Sequence, residues 1–259
     1  MNTTEPKLHI AAVGASSRLR PAMDEWGYPP GHSKHLLPTG NPNGEVLLGR
    51  MVQIGLDDGI RSEIHTNHNN FEAIASHPRI DRSASLVQDE PDNTLGPFLR
   101  PLLKTEQQTL GAAGDHYTEA FSWAELLAFH DSSKYPLTFV MGQCVEVDEG
   151  LVYDVAGDGR INGFERAERT NSDSLVNIGL YVFEPSRVVL DSLANLGIDR
   201  ESVQLVRPSA ETIATRWIEK GLVGAFILPP FTSFNVNTPD TYNALRQHTA
   251  ATLGEVAKV

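Results

Sequence analysis

Long apolar runs, basic blocks and cysteine pairs are all missing from this chain. No stretch reaches the roughly 18 apolar residues that a membrane span requires, so no membrane partner is expected. A single cysteine, Cys144, excludes an intrachain disulfide framework and fits a reducing compartment. The first ten residues hold no apolar core behind a basic patch, so a cytoplasmic location is expected rather than secretion. Lysine is scarce, with six in 259 residues, and the net charge is −12. A nucleic-acid surface needs clustered Lys and Arg, and no cluster occurs, so nucleic acid is not an expected partner. The chain is 40% hydrophobic and 21% charged, with no repeat, low-complexity tract or linker. That composition predicts a soluble protein with a well-buried core, read as a single domain over 1–259. A homo-oligomer is allowed.

One of the six lysines stands in an informative place. An apolar run, residues 8–13, ends in the small residues Gly14, Ala15, Ser16 and Ser17, followed by Arg18 and Arg20. Further on, Lys34 opens the segment K-H-L-L-P at 34–38. A strand running into a loop of small residues exposes backbone N–H groups that can wrap an anion, and the cations complete a phosphate site. The simpler reading is a tight strand-to-helix turn, with Arg18 and Arg20 paired to surface acids. No G-K-[ST] follows, so this is not a Walker loop, and only Gly14 of a dinucleotide fingerprint is present. A dinucleotide-dependent oxidoreductase is therefore the weakest of three functional readings.

Periodicity predicts strands at 8–13, 62–66, 84–88, 137–141, 150–153, 161–165, 175–183 and 222–228. It predicts helices at 46–56, 69–76, 115–130, 187–196, 210–220 and 241–253. The alternation implies an α/β fold, with helices on both faces of a mostly parallel, mixed central sheet. Gly14, Gln88 and Gln143 fall at carboxyl ends of strands, where such folds bind ligands, and are expected to face one crevice with Asn235.

Residues 11–21 (A-A-V-G-A-S-S-R-L-R-P) resemble the A-A-G-x-G-[ST]-R-L-x-P motif that opens the sugar-1-phosphate nucleotidyltransferases. The resemblance continues in the family's order. It runs through K-H-L-L-P at 34–38, L-G-A-A-G at 110–114, F-V-M-G at 139–142, F-E-R-A at 164–167, N-I-G-L-Y-V-F at 177–183 and N-V-N-T-P at 235–239. It implies a three-layer, Rossmann-like (GT-A-like) fold and a reaction joining a nucleoside triphosphate to a sugar phosphate, giving a nucleotide sugar and pyrophosphate. By the same resemblance Arg18 and Lys34 would be catalytic. Ala12, Gly14, Ala15, Ser16, Ser17, Gln88, Leu110, Gly111 and Gly114 would bind nucleotide, the 110–114 segment acting as a loop against the base. Gly142, Glu165, Arg166 and Asn177 would hold the sugar phosphate. Mg2+ is implied at the positions of Gln143 and Asn235, where the family carries aspartates; Asp148, with Glu146, is a candidate substitute. Ser16 replaces a loop glycine, Arg166 a lysine, and residues 23–33 are an insertion. The neutral Gln143 and Asn235 keep a second reading open: a non-catalytic nucleotide-sugar-binding or regulatory relative.

Three further features stand apart from these motifs. Cys144 reads as a small packed side chain. His32 and His35 bracket Lys34 and either touch phosphate or line the loop. His65 and His68, in H-T-N-H, lack a third metal ligand nearby in the sequence, and polar residues at a strand end account for them.

Overall fold

The computed structural model describes residues 6–13, 18–88, 95–105, 107–119, 121–143, 148–171, 173–199, 201, 208–230 and 232–256. A nine-stranded sheet organises the chain. Inside it lies β1 (Leu8–Ala12), buried along its whole length. On one side β1 pairs in parallel with β2 (Ser62–Thr66), and β2 with the edge strand β3 (Ser85–Gln88). On the other side β1 pairs in parallel with β4 (Thr109–Ala113). Then β9 (Leu175–Phe183) runs antiparallel between β4 and β6 (Leu137–Gln143), and β10 (Val223–Ile227) pairs in parallel with β6. All strands of this path except β9 therefore share one direction, and their carboxyl ends form one rim. The hairpin of β7 (Asp148–Val155) and β8 (Ile161–Arg169) joins the sheet through the bridge between Val152 and Val176. A separate two-stranded ribbon pairs β5 (His116–Thr118) with β11 (Ser233–Asn235).

Strand alternation sorts the core into two layers. Leu8, Ile10 and Ala12 face the helices α2 (Leu47–Asp57), α3 (His68–Ala75) and α5 (Trp123–Ser132), where Leu48, Met51, Ile74, Trp123 and Leu126 meet them. Ala11 and Val13 face the opposite way, towards α4 (Gly96–Thr105), α6 (Arg187–Ala194) and α7 (Ala210–Glu219), which supply Phe98, Leu99, Val189 and Trp217. A third apolar cluster lies beyond the rim. There α1 (Arg20–Glu25) and α8 (Pro239–Val256) close on the β5–β11 ribbon through Met23, Tyr117, Phe234, Tyr242 and Leu245.

The predicted fold class is the observed one. Two predicted elements are corrected. The helix expected over 115–130 is a strand, β5, followed by a helix that starts at Trp123. Tyr117 and Phe121 fit a helical period, but Tyr117 packs on Phe234 across the ribbon. The real start signal is Ser122, whose Oγ accepts a hydrogen bond from the Glu125 N–H at 3.3 Å in an S-x-x-E capping pattern. The loop expected at 110–114 is mostly β4: Leu110 and Gly111 sit inside the sheet, and only Gly114 lies past the strand end. Among the described residues no helix is long and apolar enough to cross a membrane.

Trp217 is fully buried, with its ring 5.8 Å from that of Phe183, and its Nε1 has no hydrogen-bond partner among the described residues. Trp217→Ala should lower stability in urea unfolding by about 3–5 kcal/mol. Trp217→Phe should cost clearly less, because no hydrogen bond of the indole is lost. Equal losses in the two variants would contradict this packing.

Candidate functional site

At the rim, a single turn of 3₁₀ helix, Lys34–Leu36, is pinned between two apolar clusters: Leu36 enters the sheet core and Leu37 the cluster beyond the rim. The turn drives Lys34 inward, leaving its side chain 8% exposed. Its Nζ donates to Asp115 Oδ2 at 2.5 Å and to Asn237 Oδ1. Asp115 stands where β4 gives way to β5, and its carbonyl accepts the Val236 N–H at 2.9 Å, locking β11 beside it. Asp115 Oδ1 lies 3.2 Å from His116 Nδ1. On β11, Asn235 sits opposite His116, and its Oδ1 accepts from Asn237 Nδ2. Thr241 Oγ1 accepts the N–H groups of Asn237 and Thr238 at 3.3 and 3.1 Å, so N-V-N-T-P forms the entry to α8.

The electrostatics follow from burial. Desolvation pushes the Asp115 carboxyl up, but the Lys34 ammonium, then the His116 hydrogen bond, overcome it and hold Asp115 well below the usual carboxylate range. Burial pushes the His35 imidazole down to about 4, with Lys34 adding to the shift and Asp115 opposing it. His35 is thus neutral, with its Nδ1 2.8 Å from Ser33 Oγ. His116 is buried, and its Nε2 has no hydrogen-bond partner among the described residues.

Other residues singled out in the sequence are distributed around this centre. Ala12 is buried at the end of β1, Gly114 follows β4, and Asn177 enters β9 on the same rim. Gly142, next to last in β6, lies against the ribbon: a Cβ there would meet Ser233 Oγ at 2.7 Å, so β11 crosses beside the end of β6. Asn177 Oδ1 accepts the Gly179 N–H at 2.7 Å. Gly179 has φ +72°, and a Cβ on it would lie 2.7 Å from His116 Nδ1, so the N-x-G turn lets His116 seat. Arg18 is exposed beside the turn that leads into α1, and Gln88 is exposed on the edge strand. Two strand ends lie between Gln88 and β4, so the structure does not draw it to Lys34. Glu165 and Arg166 are exposed on β8, and Arg166 pairs with Glu211 at 2.6 Å. Gly14, Ala15, Ser16, Ser17, Cys144 and Glu146 lie outside the described residues, as does the side chain of Asp148. In the 23–33 segment, Arg20 Nη2 donates to the His32 carbonyl at 2.7 Å, and Tyr28 stacks on His32.

The metal positions give a plain result. Gln143 and Asn235 offer neutral amide oxygens, and that of Asn235 is occupied by Asn237. Asp115, the carboxylate bonded into the cluster, is engaged by Lys34 and His116. This donor set does not fit Mg2+, which prefers hard anionic oxygens. Asp115, His116 and Asn237 were not singled out in the sequence as site residues. The signal for Asp115 was its place directly after L-G-A-A-G; that for Asn237 was its place inside N-V-N-T-P.

No protein-family model and no curated protein matches the chain by sequence. Solved structures do match. HddC from Yersinia pseudotuberculosis aligns over 94% of this chain and 99% of its own, with a TM-score of 0.63 at 16% identity. A Bacillus anthracis protein assigned as a glucose-1-phosphate thymidylyltransferase, solved with sucrose, aligns over 94% of both chains, with a TM-score of 0.68 at 14% identity. The chain shares the fold of these two structures. In this fold the rim that carries Lys34 is the carboxyl edge of the parallel strands, and the ribbon and α8 form its far wall.

Two outcomes follow from the Lys34 centre. Lys34→Met should destabilise the protein by about 2–4 kcal/mol, because it leaves the largely buried Asp115 without its ammonium partner; adding Asp115→Leu should restore most of the loss. A single variant as stable as the parent in urea would refute the buried pairing. The second concerns pH. The folded state refuses a proton at His35 that the unfolded chain takes up near 6.5, so acid favours unfolding. His35 should therefore cost stability progressively between pH 6.5 and about 4, up to about 3 kcal/mol. His9, His32, His77 and His130 are also pushed down, first by burial, so the test is the difference between parent and His35→Asn. The variant should lose less stability over that window; parallel profiles would exclude His35 as a source.

Proposed function

We propose that the chain is a sugar-1-phosphate nucleotidyltransferase, acting as one domain over 1–259 on a nucleoside triphosphate and a sugar 1-phosphate. One observation carries the reading. K-H-L-L-P, the residue directly after L-G-A-A-G and N-V-N-T-P meet at a single atom: Lys34 Nζ touches Asp115 and Asn237, 81 and 203 residues away in sequence. Motifs that resemble a family's site one by one are thus supported together.

In the reaction, a phosphate oxygen of the sugar phosphate attacks the α-phosphorus in line. The new P–O bond forms as the bond to the β-phosphate breaks, and pyrophosphate leaves with the electron pair. Charge builds on nonbridging and leaving oxygens, so positioning and neutralisation do the catalytic work. Lys34 would exchange Asp115 for an α-phosphate oxygen, with Asp115 keeping the ammonium aimed until substrate arrives. The side-chain amide of Asn237 offers a further donor beside it. Arg18, exposed at the loop's end, would hold the triphosphate tail through its planar fork. Backbone amides of 14–17 would bind the same tail. Gly114 would admit the base. Asn177 would reach the sugar hydroxyls from the rim.

A second reading has its own observation. Lys34 is already neutralised by Asp115, and Gln143 and Asn235 lack charge, which suits a protein that binds a nucleotide sugar without turning it over. The two readings part in one experiment: pyrophosphate release across a panel of nucleoside triphosphates and sugar 1-phosphates, with and without divalent cations, beside calorimetric binding of the same ligands. Release with at least one pair supports the enzyme; binding without release throughout supports the non-catalytic protein; neither binding nor release rejects both. Arg18→Ala, at an exposed position, should leave the unfolding curve unchanged and weaken triphosphate binding about tenfold or more. Unchanged affinity would remove Arg18 from the phosphate site.

A further inference from the structure

Away from the rim centre, three side chains converge on the sheet face that carries α4. Parallel pairing of β1 with β2 sets His9 beside Glu63 and Ala11 beside His65. Residues 63 and 65 share a face by strand alternation, and His9 shares it too. His9 Nδ1 lies 3.0 Å from His65 Nε2 and 3.4 Å from Glu63 Oε1, and His65 Nε2 lies 3.3 Å from the same oxygen. Both imidazoles are buried, while the Glu63 side chain is 20% exposed and opens the group to solvent.

No single arrangement of protons makes all three contacts of this triangle favourable at once. The ionised carboxylate brings no proton. If each facing ring nitrogen carries one, two N–H groups crowd each other at 3.0 Å. If only one does, it can bridge the two rings as an ordinary N–H···N bond, and the carboxylate oxygen then receives a proton from one ring at most. A cation at the centre turns all three contacts favourable. The spacing matches such a centre: ligands held about 2.0–2.1 Å from a tetrahedral ion stand about 3.3 Å apart. The two rings are tilted by 40° and not stacked, so their edges, rather than their faces, approach. Lys7 Nζ donates to the other carboxylate oxygen, Oε2, at 2.9 Å, and so fixes Glu63 with Oε1 turned inward, as supporting groups do around metals.

We propose that His9, Glu63 and His65 form a binding site for one first-row transition-metal dication of the zinc class, joining β1 to β2. Two imidazoles and one carboxylate select a borderline ion over Mg2+ or Ca2+, which take oxygen sets. The exposed side beside Glu63 leaves the remaining coordination to water. The ligands sit on strands and not on loops, so the site is held ready by the sheet. Bound metal would tie together segments 56 residues apart in sequence and stabilise the folded chain by mass action.

The test uses the full chain, stripped with a chelator and titrated with CoCl2, read by visible d–d absorption. Competition with ZnCl2 and thermal unfolding in each metal accompany it. One Co2+ per chain, displaced by Zn2+, with a raised melting temperature, is the expected result. Glu63→Gln should weaken Co2+ binding by more than about 100-fold, beyond the about 10–100-fold typical of losing a supporting group. His9→Gln and His65→Gln should do the same. Should a histidine variant fail to fold by circular dichroism, the variant at the more exposed Glu63, Glu63→Gln, decides alone. Parent affinity weaker than about 1 mM, or a Glu63→Gln variant that binds as the parent does, overturns the site.

Discussion

A buried lysine and a largely buried aspartate cannot be placed separately, and the rim of this protein is arranged around that fact. Removing either charge from water costs several kcal/mol unless a partner and hydrogen bonds compensate. Lys34 arrives on a 3₁₀ turn, Asp115 at the end of β4, and Asn237 at the entry to α8. Each segment has its own apolar anchors, yet only their meeting lets both charges be buried. The β5–β11 ribbon is the brace of this arrangement, since Val236 bonds to the very residue whose carboxylate holds the lysine. In a chain of net charge −12, this buried pair keeps one of only six lysines where an anionic ligand could use it.

The closed pair also sets terms for any phosphate that enters. Asp115 is held ionised, so an incoming anion must displace or outbid it for the ammonium. A polyphosphate carries enough charge to do so; a neutral sugar does not. In the proposed function, the contact between Lys34 and Asp115 would discriminate among ligands by charge before shape is considered.

How far the sequence carried depended on the range of the contacts involved. The strand 175–183 was readable to the residue because its apolar run is buried between two neighbours and bounded by turns. The sheet class and the place of Lys34 followed from similarly local patterns. Helix α4 escaped notice because Gly96, Pro97 and Pro101 look like breakers, while Phe98, Leu99 and Leu102 bury it regardless. The 115–130 segment misled because a three-residue strand is too short to show alternation against a helical rhythm. His65 looked unsupported in H-T-N-H, where His68 opens α3; its neighbours come from strand register, and register joins residues 56 apart in sequence. Asp115 and Asn237 lay inside quoted or adjoining motifs, but nothing local reveals that both aim at one ammonium.

Helix α8 closes the structure by reaching back to an early segment. Tyr242 Oη donates to the Pro38 carbonyl at 3.0 Å, and Thr249 Oγ1 donates to that of Thr39 at 2.9 Å. Those contacts span 204 and 210 residues. A chain emerging from the ribosome can build the β1–β2 half of the sheet early, but Lys34 must wait for residue 237 before it has its full set of partners. Through most of synthesis the lysine and the surface meant for α8 stay open to water and to other chains. Closing so long a span of chain carries an entropic cost that the contacts between β1 and β2 do not bear to the same degree.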